Sequence, residues 1–141
     1  MKTLRILTVD DEPLALRRLK LLLRRIGHIE HVGQATSCED ALAKVARLAP
    51  DVILLDVQMR DGDGFDVVRR LARRQILPAI IFITAIDHYA VQAFDAAAAD
   101  YLLKPVELSR LKHALSRARE HFEIINAKRR PTAWIGRGIG S

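Results

Sequence analysis

Apolar residues in this sequence form short runs that alternate with longer segments of helical periodicity. The short runs are rich in β-branched residues and predict strands over residues 4–9, 29–35, 52–55, 79–83 and 101–103. In the segments between and after them, apolar positions recur every three or four residues, which predicts helices over 13–26, 39–48, 65–74, 88–98 and 107–126. The chain therefore repeats a strand-then-helix unit five times.

The strand segments are nearly all apolar rather than alternating. Strands of this kind are buried on both faces, which is typical of a parallel sheet covered by helices on each side. The predicted fold class is therefore α/β, a doubly wound parallel sheet of five strands. Pro13 suits a first helical turn and Gly27 a helix end, while Pro50 and Pro78 suit breaks before the third and fourth strands.

The last predicted helix carries one continuous apolar stripe. Its members follow one another at steps of three or four residues: Leu108, Leu111, Leu115, Ala118, Phe122 and Ile125. We expect the first half of this helix to pack on the sheet as an ordinary core face. The second half has two open interpretations, a continuation of that core face or a heptad seam for a dimer or linker helix.

Charge is unevenly distributed along the chain. Residues 1–109 carry 15 basic and 15 acidic side chains, whereas residues 110–141 carry 8 basic and 2 acidic ones, which accounts for the whole net charge of +6. A length of 141 residues suits one folded domain, which we expect over residues 1–126, followed by a basic and mobile tail over 127–141. We interpret the tail as a solvated connector and expect at most weak, salt-labile association with DNA.

Two further observations restrict the class of protein. The single cysteine, Cys38, excludes an internal disulfide. Neither a signal peptide nor an apolar run of about 18 residues is present, so we expect no membrane association and a cytoplasmic location.

Polar residues follow four of the five predicted strands directly. They are Asp10-Asp11-Glu12 after the first strand, Asp56 after the third, Thr84 after the fourth and Lys104-Pro105 after the fifth. The carboxyl ends of parallel strands meet at one edge of the sheet, where ligand sites of such folds form. One acid at a strand end is commonly a turn or helix cap. The joint pattern on four strands favours a functional site.

Three carboxylates at one edge repel each other unless a positive charge lies among them. Oxygen ligands with room for water and a phosphate oxygen suit Mg²⁺, and Lys104 would supply a second positive charge. Asp56 lies between the acid pair and the Thr-Lys pair, so we expect it to be a nucleophile that forms an acyl phosphate. Thr84 and Lys104 could then hydrogen bond to the phosphoryl oxygens. The acidic run 61–64 fails as a calcium loop because Phe65 occupies a ligand position.

Four segments carry a resemblance to a known family. They are Asp10-Asp11-Glu12-Pro13, Leu54-Leu55-Asp56-Val57-Gln58-Met59 with Gly64 eight residues past the aspartate, Ile83-Thr84-Ala85, and Tyr101-Leu102-Leu103-Lys104-Pro105. In this combination, residues 4–122 resemble the receiver domains of two-component response regulators. The stretch over residues 82–105 is similar to the LytTR (LytR/AlgR) subgroup, in which the receiver precedes a β-rich DNA-binding domain. Because 15 residues follow Asn126, we expect that output domain to lie outside this chain.

The resemblance implies a flavodoxin-like sheet with strand order 2-1-3-4-5 and a phosphorylation switch rather than an enzyme. It implies phosphoryl transfer from a histidine kinase, and Mg²⁺ held by Asp11, Asp56 and the backbone carbonyl of Gln58, with Asp10 acting largely through water. Thr84 and Tyr101 would be the switch residues. The face formed by the fourth helix, fifth strand and fifth helix would then change and form a homodimer, and DNA would be reached through the output domain.

Two residues depart from the family pattern. Arg60 stands where the family usually has a proline, four residues past the phosphoacceptor, and this favours a looser loop. Ile86, two residues past Thr84, is apolar, so the lifetime of the acyl phosphate is left open.

Two rival functions share parts of this pattern. An aspartyl-phosphate phosphatase of the haloacid dehalogenase type also uses Asp, Thr, Lys and Mg²⁺, but it places a second acid two residues past its nucleophile, where this chain has Gln58. A flavodoxin-like cofactor binder needs a first loop that cradles phosphate. The acidic run 10–12 would repel that phosphate.

Overall fold

The computed structural model describes residues 1–76 and 78–128. We number the five strands of the main sheet in chain order. The elements are β1 (Leu4–Val9), α1 (Pro13–Leu23), β2 (Ile29–Ala35), α2 (Cys38–Leu48), β3 (Val52–Leu55), α3 (Gly64–Arg73), β4 (Ala79–Thr84), α4 (Ala90–Asp95), β5 (Asp100–Leu103) and α5 (Leu108–Lys128). Between β3 and α3, the two-residue strands Gln58–Met59 and Gly62–Asp63 pair antiparallel. The predicted tail lies outside the described residues from position 129 onward.

Strands β1 to β5 form one parallel sheet in the order β2-β1-β3-β4-β5. Both the doubly wound α/β class and the strand order 2-1-3-4-5 are therefore confirmed. Central strands β3 and β4 are buried at every position, because helices cover both faces of the sheet.

The core lies on both faces of the sheet. On one face, alternate residues of the strands such as Ile6, Leu54 and Ile81 pack against α1 and α5. On the other face, the intervening residues, such as Leu55 and Phe82, pack against α2, α3 and α4. The period of two along each strand thus divides the apolar side chains between two helical layers.

Helix α1 begins at Pro13, as predicted, but ends at Leu23, three residues before the predicted end. Beyond Leu23 the backbone tightens into three-residue turns, in which Ile26 N donates to Leu23 O over 3.1 Å. His28, with φ of 60°, then turns the chain into β2. Gly27 therefore lies in the turn after the helix rather than at its cap.

Helix α4 is much shorter than the predicted segment 88–98. The alanines that follow it have high helix propensity, but Ala97 adopts φ of 58° and ends the helical path. Ala99 N then donates to Ile80 O over 2.7 Å, which places the chain on the sheet. The requirement to start β5 therefore overrides the local propensity.

The first half of α5 packs on the sheet, as predicted. Leu111, Ala114, Leu115 and Ala118 are buried and belong to the core. Phe122 is partly buried against the same core, whereas Ile124 is exposed. The stripe therefore stays on the core face as far as Phe122, and the side chain of Ile125, its last member, lies outside the described residues.

Candidate functional site

Strand register brings the predicted site residues to one edge of the sheet. Val9 is paired with Leu55, so the residues that follow them, Asp10 and Asp56, leave the sheet side by side. Thr84 at the end of β4 is paired with Leu103, which places Lys104 next to Thr84. Lys104 N donates to Thr84 O over 2.9 Å and continues the parallel pairing by one step.

Three carboxylates form a cluster at this edge. One oxygen each from Asp10, Asp11 and Asp56 lies within 4.8 Å of the other two. Asp10 and Asp56 are buried, and Asp11 is partly exposed. Burial raises the pKa of the Asp10 carboxyl above its usual range, although hydrogen bonds from Lys104 and the Glu12 amide act in the opposite direction.

Oxygen ligands of this kind fit a hard divalent cation such as Mg²⁺. The cluster opens toward solvent on the side of Asp11, and the first two acids come from neighbouring positions after β1. A carboxylate-only donor set with an open side can bind the cation through a few protein oxygens and leave positions for other oxygen ligands.

Lys104 places an ammonium group between the carboxylates. Its Nζ lies 2.7 Å from Asp10 Oδ2, 2.9 Å from Asp56 Oδ2 and 3.3 Å from Glu12 Oε1. Burial acts to lower the pKa of Lys104, but the hydrogen bonds to Asp10 and Asp56 outweigh it, and the pKa is raised. The ammonium group therefore stays charged at neutral pH and neutralises part of the cluster.

Thr84 and Tyr101 both hydrogen bond to the loop that follows β4. The buried Thr84 Oγ1 accepts a hydrogen bond from Ile86 N over 3.4 Å. The Tyr101 hydroxyl donates to Ile86 O and accepts from Tyr89 N over 3.3 Å. Burial raises the pKa of Tyr101, so its hydroxyl remains a donor at neutral pH. The two predicted switch residues thus fix the same loop, Thr84 at Ile86 and Tyr101 at Ile86 and Tyr89.

Gln58 lies next to the cluster through its backbone. Its N–H donates to Asp56 Oδ1 over 3.2 Å, and Arg60 N donates to Asp11 Oδ2 over 3.1 Å. The side chain of Gln58 is exposed and reaches the Tyr89 hydroxyl at 3.4 Å. The backbone after Asp56 is therefore hydrogen bonded to two of the three clustered acids.

Sequence reasoning missed the contact that Asp61 makes beside this site. Its carboxylate accepts hydrogen bonds from Cys38 N over 2.9 Å and Glu39 N over 3.2 Å, at the first turn of α2. The Cys38 hydrogen bond lowers the pKa of Asp61, so the carboxylate is ionised at neutral pH. The Asp-Gly-Asp-Gly segment at 61–64 indicates helix capping, and the Asp63 side chain does cap α3 by accepting a hydrogen bond from Asp66 N. The partner of Asp61, however, lies 22–23 residues away, beyond the reach of local patterns.

Comparison with known proteins agrees with this geometry. The family model for the response regulator receiver domain matches residues 6–116. The chain belongs to this family. The receiver domain is 43% identical to the sensory transduction protein LytT of Bacillus cereus over 114 residues, 81% of this chain and 46% of that protein. It is 41% identical to the transcriptional regulatory protein BtsR of Escherichia coli K12 over 117 residues, 83% of this chain and 48% of that protein.

The chain spans about half the length of these curated relatives. LytT and BtsR are LytTR-type response regulators, so the predicted subgroup is confirmed, as is the predicted function class of a response-regulator receiver domain.

Solved structures confirm the receiver fold. The signal receiver domain of the response regulator NarL from Mycobacterium tuberculosis superposes with a TM-score of 0.78 at 29% identity, covering 84% of this chain and 98% of that one. The response regulatory domain of MrkE from Klebsiella pneumoniae gives 0.76 at 32% identity, with the same coverage of 84% and 98%. Among the described residues, the helices are too short or too polar to cross a membrane.

Proposed function

We propose that this receiver domain is a phosphorylation switch in which a histidine kinase transfers a phosphoryl group to Asp56. Mg²⁺ would be held by Asp10, Asp11, Asp56 and the backbone carbonyl of Gln58. The observation that supports this most directly is the buried Asp56 carboxylate, which lies within 4.8 Å of two other acids and 2.9 Å from the Lys104 ammonium.

The transfer requires a nucleophile and positive charge at the phosphoryl oxygens. A carboxylate oxygen of Asp56 forms the new P–O bond as the P–N bond of the phosphohistidine donor breaks and its electron pair returns to the imidazole. When bound, Mg²⁺ supplies positive charge to the phosphoryl oxygens. Lys104 supplies a second positive charge from its position against Asp56 Oδ2.

The phosphoryl group on Asp56 would carry about two negative charges beside Lys104 and Thr84, in place of the single charge of the carboxylate. The Thr84 hydroxyl can donate a hydrogen bond to a phosphoryl oxygen, but it now accepts one from Ile86 N. A movement of Thr84 toward the phosphoryl group would therefore change the loop that Tyr101 holds through Ile86 and Tyr89. To change the ratio of the active to the inactive conformation from 1:99 to 99:1, phosphorylation must stabilise the active conformation by roughly 5.5 kcal/mol more than the inactive one.

The response to this change would lie on the face formed by α4, β5 and α5. Val91, Phe94 and Leu103 expose apolar side chains there. We propose that phosphorylation favours a homodimer through this face, and that DNA is bound through an output domain of a longer protein.

The haloacid dehalogenase-type phosphatase is the alternative. That class needs a second acid two residues past the nucleophile, where the exposed amide of Gln58 lies against Tyr89. An amide cannot act as the acid and base of repeated hydrolysis. The geometry therefore supports a stoichiometric adduct, and a switch rather than an enzyme.

Incubation with acetyl phosphate and Mg²⁺ tests the proposal. We expect intact-mass spectrometry to find one phosphoryl group on the wild-type chain and none on Asp56→Asn, because the amide is not a nucleophile. Asp95→Asn removes an exposed carboxylate and should label as the wild type does. A chelator should slow labelling of the wild type and of Asp95→Asn.

Two results would contradict the proposal. Labelling of Asp56→Asn at the wild-type level would show that another residue is the phosphoacceptor. Sustained turnover of diverse phosphate esters by the wild type would support the phosphatase instead.

A further inference from the structure

The segment over residues 58–61 lies between the acid cluster and the start of α2. Two of its hydrogen bonds, from Gln58 N and Arg60 N, end on oxygens of Asp56 and Asp11. Both acceptors are carboxylates of the cluster, so a bound cation would draw on the same oxygens. These two bonds alone therefore fix the segment poorly during metal binding.

A third attachment of this segment does not involve the cluster. The Asp61 carboxylate accepts hydrogen bonds from two backbone N–H groups of α2, over 2.9 Å and 3.2 Å. N–H groups in the first turn of a helix have no partner within the helix, and the positive end of the helix dipole favours a carboxylate. Glu39, one of these two residues, is itself fixed by an ion pair of 2.8 Å with Arg70 of α3.

Arg60 makes this attachment more important. A proline at position 60 would fix φ and lack an N–H, whereas Arg60 leaves φ free and uses its N–H to bind Asp11. The backbone of this chain thus lacks the restraint of a proline ring at the point where the segment passes Asp11. The neighbouring residue, Asp61, supplies a restraint through its side chain.

We propose that Asp61 is a positioning residue for the divalent cation: its attachment to α2 holds segment 58–61 so that the Gln58 carbonyl and Asp11 meet the ion together. This inference rests on the proposed function, because it takes the acid cluster to be the Mg²⁺ site. Asp61 itself does not contact the ion. Residues that orient metal ligands typically change metal affinity by roughly tenfold or more when they are removed.

The test compares the wild type with four variants of the full chain, Asp61→Ala, Asp61→Asn, Ser37→Ala and Asp11→Asn, by calorimetric titration with Mg²⁺ in the absence of a phosphodonor. Asp61→Ala removes both hydrogen bonds, and we expect the dissociation constant to rise roughly tenfold. Asp61→Asn keeps one acceptor oxygen without the charge, and its constant should lie between those of Asp61→Ala and the wild type.

Ser37→Ala is the matched control. The Ser37 hydroxyl caps the same end of α2 by accepting from Asp40 N over 3.0 Å, and it makes no hydrogen bond to segment 58–61 among the described contacts. We expect its urea midpoint to fall while its Mg²⁺ dissociation constant stays within about twofold of the wild type. Circular dichroism of each variant checks that it is folded.

The outcomes separate the inference from the proposed function. If the wild type binds Mg²⁺ but Asp61→Ala binds it equally well, or Ser37→Ala weakens binding as much as Asp61→Ala, the positioning role is wrong. Equal weakening by Asp61→Asn and Asp61→Ala would assign the effect to charge and also contradict it. A wild type that binds no Mg²⁺, or binds it equally after Asp11→Asn, would contradict the metal site itself and the positioning role with it.

Discussion

Gly64 begins α3 and lies directly against the backbone of the proposed phosphoacceptor. A Cβ atom at this position would lie 2.6 Å from Asp56 O, 3.1 Å from Leu55 Cγ and 3.3 Å from Phe82 Cε1. The nearest of these is a backbone atom of the residue that directly follows central strand β3, and it cannot move without displacing that strand. A side chain at position 64 and the present path of Asp56 therefore exclude each other.

Substitution Gly64→Ala should destabilise the domain by about 1–3 kcal/mol, the range for overpacking a closely packed core. Gly27→Ala is the control, because a Cβ there has nothing within 4 Å. We expect that variant to be as stable as the wild type or slightly more stable. Urea unfolding followed by circular dichroism measures both, and a Gly64→Ala midpoint equal to that of the wild type would contradict the prediction.

At the scale of single residues, the sequence predicted the acids and the lysine of the site because each directly follows a strand. Parallel strands with aligned ends bring such residues together whatever the details of packing. Asp61 could not be found in this way. Its contact with α2 depends on the path of two loops, and nothing in the local pattern encodes that path. The close approach of Asp56 O, which leaves no space for a Cβ atom at position 64, is likewise visible only in three dimensions.

Among the elements, α4 has the weakest local support. It spans six residues, and its N-cap residue, Tyr89, makes no side-chain capping bond. Two hydrogen bonds of the Tyr101 hydroxyl, to Ile86 O and from Tyr89 N, hold the turn before it. The start of α4 is therefore fixed by a side chain of β5 rather than by its own sequence.

Substitution Tyr101→Phe should loosen α4 and leave the rest of the domain unchanged. Loss of two hydrogen bonds, each worth about 0.5–1.5 kcal/mol, predicts a rise of roughly fivefold or more in amide exchange over residues 86–95. Exchange over α2 serves as the internal control in hydrogen–deuterium exchange mass spectrometry. Unchanged exchange in 86–95 would show that the hydroxyl does not hold this element.

Element type was predictable for every strand and helix of the main fold, whereas element ends were less so. Strands that are apolar throughout leave little choice of position in a buried sheet. The end of α4 was mispredicted because an alanine-rich segment favours helix until β5 competes for the chain at Ala99. The end of α1 was mispredicted because a glycine was taken as the stop when a positive φ at His28 turns the chain.

At the scale of the whole molecule, the helices of the two faces leave different surfaces exposed. Phe94 on α4 is 83% exposed, and Leu14 on α1, on the opposite face of the sheet, is 81% exposed. The two side chains are therefore matched in exposure and differ in the surface they occupy. This pair separates an effect of the α4-β5-α5 face from a general effect of exposed apolar area.

Substitution Phe94→Ser should weaken the phosphorylation-dependent dimer about fivefold or more, the effect expected of an apolar side chain at the centre of an interface. Leu14→Ser should leave the dimer unchanged. Sedimentation velocity with and without acetyl phosphate and Mg²⁺ measures both, and mass spectrometry checks equal labelling. Equal dimerisation of Phe94→Ser and the wild type would place the interface elsewhere.

Helix α5 is 21 residues long and therefore about 31 Å from end to end. Among its described side chains, which end at Ile124, the buried ones run from Leu111 to Ala118, so contact of these side chains with the sheet is concentrated in the N-terminal half. Rotation by about 10° about Leu111 would carry Lys128, roughly 25 Å away along the axis, through about 4 Å. A displacement too small to disturb the core would thus be large at the far terminus of this helix.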